Sequence, residues 1–303
     1  MKSLFIKQAL KSKNPFWMYL LGSFIIIIFN LIGQLPLSFV LMKEATAALA
    51  SDPMEILRDL DKNIQLFLLL IPFAVGFLGL WLVVVKLHER SLVSITTARS
   101  KVDWSRVVFT FLLWSVITTA LLGLDFFLNP ESFSWNFDSK KFVVLFLIAI
   151  VFIPIQTSLE EFIFRGYLMQ GFGGLFKNAW APLLMTSFIF GVLHLFNPEV
   201  DKLGYGILIY YIGTGLFLGI MTLMDDGIEL ALGFHAANNL ITALLVTSSW
   251  TAFQTESVLI DHSEPSLGGE LLLSLFIFYP LFLLVLARKY QWKDWRSKLL
   301  AQF

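Results

Sequence analysis

Apolar residues fall in long unbroken runs separated by short charged stretches. They neither alternate with the two-residue period of a half-buried strand nor leave the polar stripe of a surface helix. A helix crossing roughly 30 Å of hydrocarbon needs about 20 apolar residues. Eight runs approach that length: Phe16 to Met42, Ile64 to Val85, Val107 to Leu124, Phe142 to Thr157, Ala181 to Leu195, Tyr205 to Leu223, Ile228 to Val246 and Leu271 to Leu286. Their continuity predicts helices rather than barrel strands, and hence an all-α, polytopic membrane protein with eight transmembrane helices. The fourth, fifth and eighth runs are short. The fourth is expected to continue through a charged stretch, because Phe162, Ile163, Phe164, Tyr167, Leu168 and Met169 keep it apolar. No internal repeat or low-complexity tract is visible and no loop is long enough for a soluble domain, so residues 1–303 read as one membrane domain.

Composition agrees with this reading: 57% of the 303 residues are hydrophobic, 15% are charged and mean hydropathy is +0.76, which excludes a soluble fold. Twenty-two basic residues balance 22 acidic ones, so net charge gives no reason to expect a nucleic-acid partner. The absence of cysteine excludes a thiol nucleophile, a disulfide and a Cys-ligated zinc or iron–sulfur centre.

Charge by side sets an expected orientation. Lys2, Lys7, Lys11 and Lys13, the basic residues from Lys86 to Arg106, Arg165 with Lys177, and those from Arg288 to Lys298 place sixteen on one side. The alternate loops, including Lys43, Arg58 and Lys62, hold six. The positive-inside rule then puts both termini in the cytoplasm, as an even number of spans requires. The first run far exceeds the about 7 to 15 apolar residues of a cleaved signal peptide, so it is expected to be a retained helix.

The informative residues are polar groups at membrane depth, each costly unless paired or functional. His88 and His262 fall in loops and are expected to be solvated, whereas His194 and His235 sit in apolar helices, as hydrogen-bonding struts or as parts of a site. Three clusters surround them. In Glu160-Glu161-Phe162-Ile163-Phe164-Arg165, Glu161 and Arg165 share a helix face and can pair, while Glu160 points about 100° away, toward a polar pocket where it could act as a general base. The other reading of this stretch is a charged membrane border. Phe190 and His194 share a face, with Gly191 allowing close helix approach; His235 and Asn239 share another, with Asn238 as an alternative partner. At 1.5 Å per residue from the helix ends, Glu160, His194, His235 and Asn239 lie at depths of about 10 to 20 Å and can meet.

The EExxxR pattern at Glu160 to Arg165, FxxxH at Phe190 to His194 and HxxxN at His235 to Asn239, in this order, resemble the CPBP family. That family comprises CAAX prenyl endoproteases of the Ras-converting type and bacterial relatives associated with bacteriocin processing and self-immunity. The resemblance spans residues 142–246, a CPBP-like catalytic core, and the preceding KLHERSLVSITTARSK stretch looks like the family's cytoplasmic loop. It implies an intramembrane endopeptidase in which Glu160 and His194 activate a water while His235 and Asn239 bind the oxyanion, with Glu161, Arg165 and Phe190 in support. No cofactor is expected on this reading. The alternatives are a zinc site built from Glu160, His194 and His235, against which stands the absence of HExxH, a non-catalytic immunity or scaffold protein, and a transporter relaying protons through Glu160. The expected partners are the bilayer and a peptide or membrane-protein substrate, the expected location is the bacterial cytoplasmic membrane, and the site is expected to open toward the cytoplasmic half.

Overall fold

In a computed structural model, described here for residues 4–11, 14–47, 60–300 and 302, the chain is a helical bundle with one small sheet. Lys2, Lys13 and Arg58, counted above toward orientation, lie outside the described residues. The helices are α1 (Leu4–Lys11), α2 (Phe16–Gly33), α3 (Leu35–Ala47), α4 (Lys62–Leu82), α5 (Leu92–Thr96), α6 (Trp104–Leu128), α7 (Ser139–Glu161), α8 (Met169–Phe176), α9 (Trp180–Leu193), α10 (Pro198–Leu203), α11 (Leu208–Asp225), α12 (Glu229–Leu245), α13 (Gly269–Leu273), α14 (Tyr279–Lys289) and α15 (Trp295–Leu300). Several starts are fixed by aspartates that accept from first-turn amides: Asp61 before α4, Asp103 before α6 and Asp138 before α7.

Among the described residues six helical stretches are long and apolar enough to cross a membrane: Phe16–Lys43, Lys62–Leu87, Trp104–Leu128, Ser139–Phe176, Tyr205–Asp225 and Leu271–Lys289. The fourth continues through the charged stretch as expected, by a π-helical segment, Phe162–Leu168, that joins α7 to α8. The other two expected spans fall short. Helix α9 has 14 residues and stops at His194, and α12 has 17, opens on Glu229 and is diluted by His235, Asn238 and Asn239. Helix α12 is enclosed by α6, α7 and α11, so most of its surface meets protein rather than lipid. Its approach to α6 is close because Gly233 lies against the Val107 carbonyl and Thr110. Gly191 likewise lets α9 approach Ile212 of α11.

The chain is mostly helical, as expected, and the described residues add three short strands to the helices, β1 (Phe133–Trp135), β2 (Val246–Thr247) and β3 (Leu259–Asp261), ordered β1-β3-β2. Strands β1 and β3 pair antiparallel with Ser134 opposite Ile260, and β2 joins β3 in parallel. Segments this short carry no readable alternation. The sheet caps one end of the bundle, where Lys141 also pairs with Glu256 at 3.0 Å and the Ala252 amide donates to Glu199.

The opposite end gathers both terminal helices. Helix α1 buries Phe5 and Ile6, and its Leu4 amide donates to Asp226. Lys298 of α15 pairs with the same Asp226, while Asp225 accepts from Arg99, Arg106 and the Trp292 indole. His88 departs from its expected solvation: it is buried, its ring tilted against Tyr19 with centroids 4.6 Å apart, and its Nε2 lies 2.8 Å from the Tyr167 hydroxyl. Burial, with Arg90 as the lesser cause, pushes its pKa down to about 4. His262 is exposed as expected and meets Ser134 Oγ. Between the two ends, Trp114, Phe217, Phe234, Tyr279 and Phe282 form an aromatic core under α12.

Candidate active site

Helix α7 brings two adjacent carboxylates into the bundle with different surroundings. Glu161 is fully buried, and its Oε1 accepts from Arg165 Nη1 at 2.7 Å, the expected one-turn pair. The guanidinium also lies 4.5 Å over the Phe190 ring, which assigns Phe190 a packing contact with the ion pair. The same Glu161 oxygen lies 2.7 Å from His235 Nδ1. A carboxylate only accepts, so Nδ1 carries the proton and Glu161 fixes the orientation of the ring. This cross-helix partner of His235 was not legible in the sequence, which offered Asn239 and Asn238.

Glu160, one residue back, turns into a cavity of about 770 Å³ whose lining also includes His194, His235, Asn238 and Asn239. The four residues expected to meet therefore share one cavity. Glu160 Oε2 is 3.6 Å from His235 Nε2, long for a direct hydrogen bond, and Oε1 accepts from Gln156 Nε2 at 2.6 Å. His194 Nδ1 lies 2.7 Å from the Phe190 carbonyl, an acceptor, so this nitrogen too carries a proton and Nε2 of the neutral ring keeps its lone pair. The imidazole stacks on Tyr211, 4.3 Å between centroids.

A chain of hydrogen bonds ends on Glu160. The Trp114 indole donates to Asn238 Oδ1, Asn238 Nδ2 to Asn239 Oδ1, Asn239 Nδ2 to Gln156 Oε1, and Gln156 Nε2 to Glu160, at 3.1, 3.1, 3.2 and 2.6 Å. An indole only donates and a carboxylate only accepts, so the two ends set the direction of all three amides between them. Asn239 has one N–H left after serving Gln156, and it lines the cavity. Sequence reasoning missed Gln156, Trp114 and Tyr211. Gln156 had a signal, an amide inside an apolar run four residues before Glu160; Trp114 and Tyr211 had none, since their partners come from other helices.

The proposed zinc set of Glu160, His194 and His235 does not assemble as a ligand group. Among the described residues no three His, Cys, Asp or Glu side chains are arranged to hold a metal ion. The nearest approach within the set, Glu160 to His235, is a carboxylate facing an imidazole edge.

Comparison with known proteins agrees with the motifs. The family model described as type II CAAX prenyl endopeptidase Rce1-like matches residues 139–241, which contain all three motifs. The uncharacterized protein YyaK of Bacillus subtilis (strain 168) is 31% identical over 251 residues, 79% of this chain and 81% of that protein. No solved structure matches the chain. With the three motifs on α7, α9 and α12 facing one cavity and a relative of this length and identity, the chain belongs to the Rce1-like family of type II CAAX prenyl endopeptidases.

Proposed function

We propose that this protein is an intramembrane endopeptidase in which Glu160 and His194 activate a water and His235 and Asn239 receive the oxyanion. One observation carries the reading. Glu160 accepts from Gln156 and faces His235 Nε2 at 3.6 Å, in a cavity that His194 and Asn239 also line. A base must lie within reach of the water and the donors must point where charge develops. Glu160 Oε2 and the lone pair of His194 Nε2 supply acceptors for the protons of a water. The remaining Asn239 N–H supplies one oxyanion donor. His235 supplies the other from Nε2 when doubly protonated, its Nδ1–H being held by Glu161. Glu160 then returns its proton to the leaving amine. Residues 142–246 form the catalytic core on this reading.

The expected location is the bacterial cytoplasmic membrane with both termini inside. The cavity runs toward the sheet end of the bundle, lined there by Glu199 and by Val246 to Ser248, opposite the terminal helices. With that orientation the site is reached from the non-cytoplasmic side, the reverse of the cytoplasmic opening expected from helix depths, which measure distance along an axis and not which mouth is open. The test is cleavage of a peptide library by purified protein in liposomes. Glu160→Gln, His194→Ala and Asn239→Ala should each lower turnover about a hundredfold, since each removes a base or an oxyanion donor. Chelation should leave the rate unchanged. Near wild-type turnover in Glu160→Gln overturns the mechanism, and stoichiometric metal lost together with activity replaces it with a metal-dependent one.

A further inference from the structure

We propose that Glu199 is a specificity residue that selects peptide substrates bearing a positively charged side chain. The inference rests on the endopeptidase reading for what the cavity holds, and on separate observations for the charge. Glu199, in the first turn of α10, lines the same cavity as Glu160. Its Oε1 accepts from the Ala252 amide at 2.9 Å, which fixes the carboxylate against the segment that follows β2. Its Oε2 is buried and has no hydrogen-bond partner among the described residues. An ionised oxygen withdrawn from solvent without a donor is costly, and a donor carried by the substrate removes that cost.

The surroundings decide what kind of donor fits. Among the described residues lining the cavity none is Lys or Arg, so nothing in its walls neutralises Glu199, and Glu160 adds a second carboxylate. The segments that close this end of the bundle, 125–141, 197–204 and 246–270, carry nine acidic and three basic residues, so the approach to the cavity attracts cations. A metal ion would need several oxygen or nitrogen ligands, and no such group assembles around Glu199. One anchored carboxylate with one unpartnered oxygen, among largely apolar walls of α2, α4 and α9, matches a Lys or Arg side chain in an otherwise apolar peptide.

The test measures binding in the Glu160→Gln protein, which removes the other carboxylate of the cavity and prevents turnover. Peptides of equal length differing at one scanned position, Lys, Gln or Glu, are titrated by fluorescence anisotropy in detergent. The Lys peptide should bind about tenfold more tightly than the Gln peptide, the level of one charge-assisted hydrogen bond, and the Glu peptide more weakly than either. Adding Glu199→Gln, which keeps the carbonyl oxygen for the Ala252 amide, should shrink the Lys preference to under about twofold. Adding Asp201→Asn instead, which removes an exposed acid on the same helix, should leave the preference intact. Equal binding of all three peptides, no binding of any, or a Lys preference that survives Glu199→Gln overturns the proposal. Cleavage of peptides by the unaltered protein regardless of charge would sustain the endopeptidase reading while refuting this one. Charge-selective binding with no cleavage would do the reverse.

Discussion

Glu160 and Glu161 are neighbours in sequence, and the same substitution should have opposite consequences at the two. The Glu161 and Arg165 side chains are 0% and 1% exposed, and the Glu161 oxygen between Arg165 and His235 serves both. Glu161→Gln keeps the volume but removes the charge. Arg165 is left with the Gly215 carbonyl at a long 3.4 Å and the Phe190 face as its other contacts. Removing one partner of a buried pair costs about 3 to 5 kcal/mol, which at roughly 2 °C per kcal/mol for a chain of this size lowers Tm by about 6 to 10 °C. Arg165→Met should do the same. The double variant Glu161→Gln/Arg165→Met removes both charges and should recover at least half of the summed loss, a coupling of about 3 kcal/mol or more. Glu160→Gln differs: its side chain is 16% exposed, the new carbonyl still accepts from Gln156, and Tm should stay within about 2 °C while turnover falls about a hundredfold. Thermal unfolding in detergent and peptide cleavage on the same preparations give both readouts. If Glu161→Gln unfolds at the wild-type temperature, or the double variant is as unstable as the sum of the singles, the ion pair does not hold the site and the reasoning fails.

Gln156→Leu removes the donor to Glu160 and the acceptor for Asn239 at one stroke; kcat should fall about tenfold or more with KM little changed, and a rise in KM alone would make Gln156 a substrate contact instead. His88 should make stability depend on pH: its pKa is about 6.5 unfolded and about 4 folded, so the unfolded chain takes up the proton first. The contribution is fully present above about pH 6.5 and is lost as pH falls toward 4, by roughly 3 kcal/mol at most. Tm measured from pH 7.5 to 4.5 should drop less steeply in His88→Gln than in the unaltered protein, and equal slopes would refute the assignment.

Much of this site was legible because helical periodicity is a local rule. The pairing of Glu161 with Arg165, the shared face of Phe190 and His194 and the turning of Glu160 away from Glu161 all follow from residues one or four apart in one helical segment, and the structure shows each. What the sequence concealed lies between helices. The partner of His235 is on α7, the indole that starts the hydrogen-bond chain is on α6, and His88 is packed against Tyr19 of α2 and Tyr167. No spacing along one segment encodes such contacts. The sheet was hidden for another reason: strands of two or three residues, β2 and β3 among them, are too short to display a period.

The two spans that fell short are instructive together. Helices α9 and α12 end or begin early because of His194 and Glu229, and α12 is further weakened as an apolar run by His235, Asn238 and Asn239. His194, His235, Asn238 and Asn239 line the cavity, whereas Glu229 pairs with Arg99 beside Asp225. A helix that presents polar groups inward can do so in a membrane only if other helices shield it from lipid, and a shielded helix no longer needs the full apolar length of a lipid-facing one. Helices α6, α7 and α11 provide that shield for α12. Within a long hydrophobic sequence, the runs of marginal length and interrupted character therefore mark where the chemistry is held, and the shortfall in span count and the location of the site are the same observation.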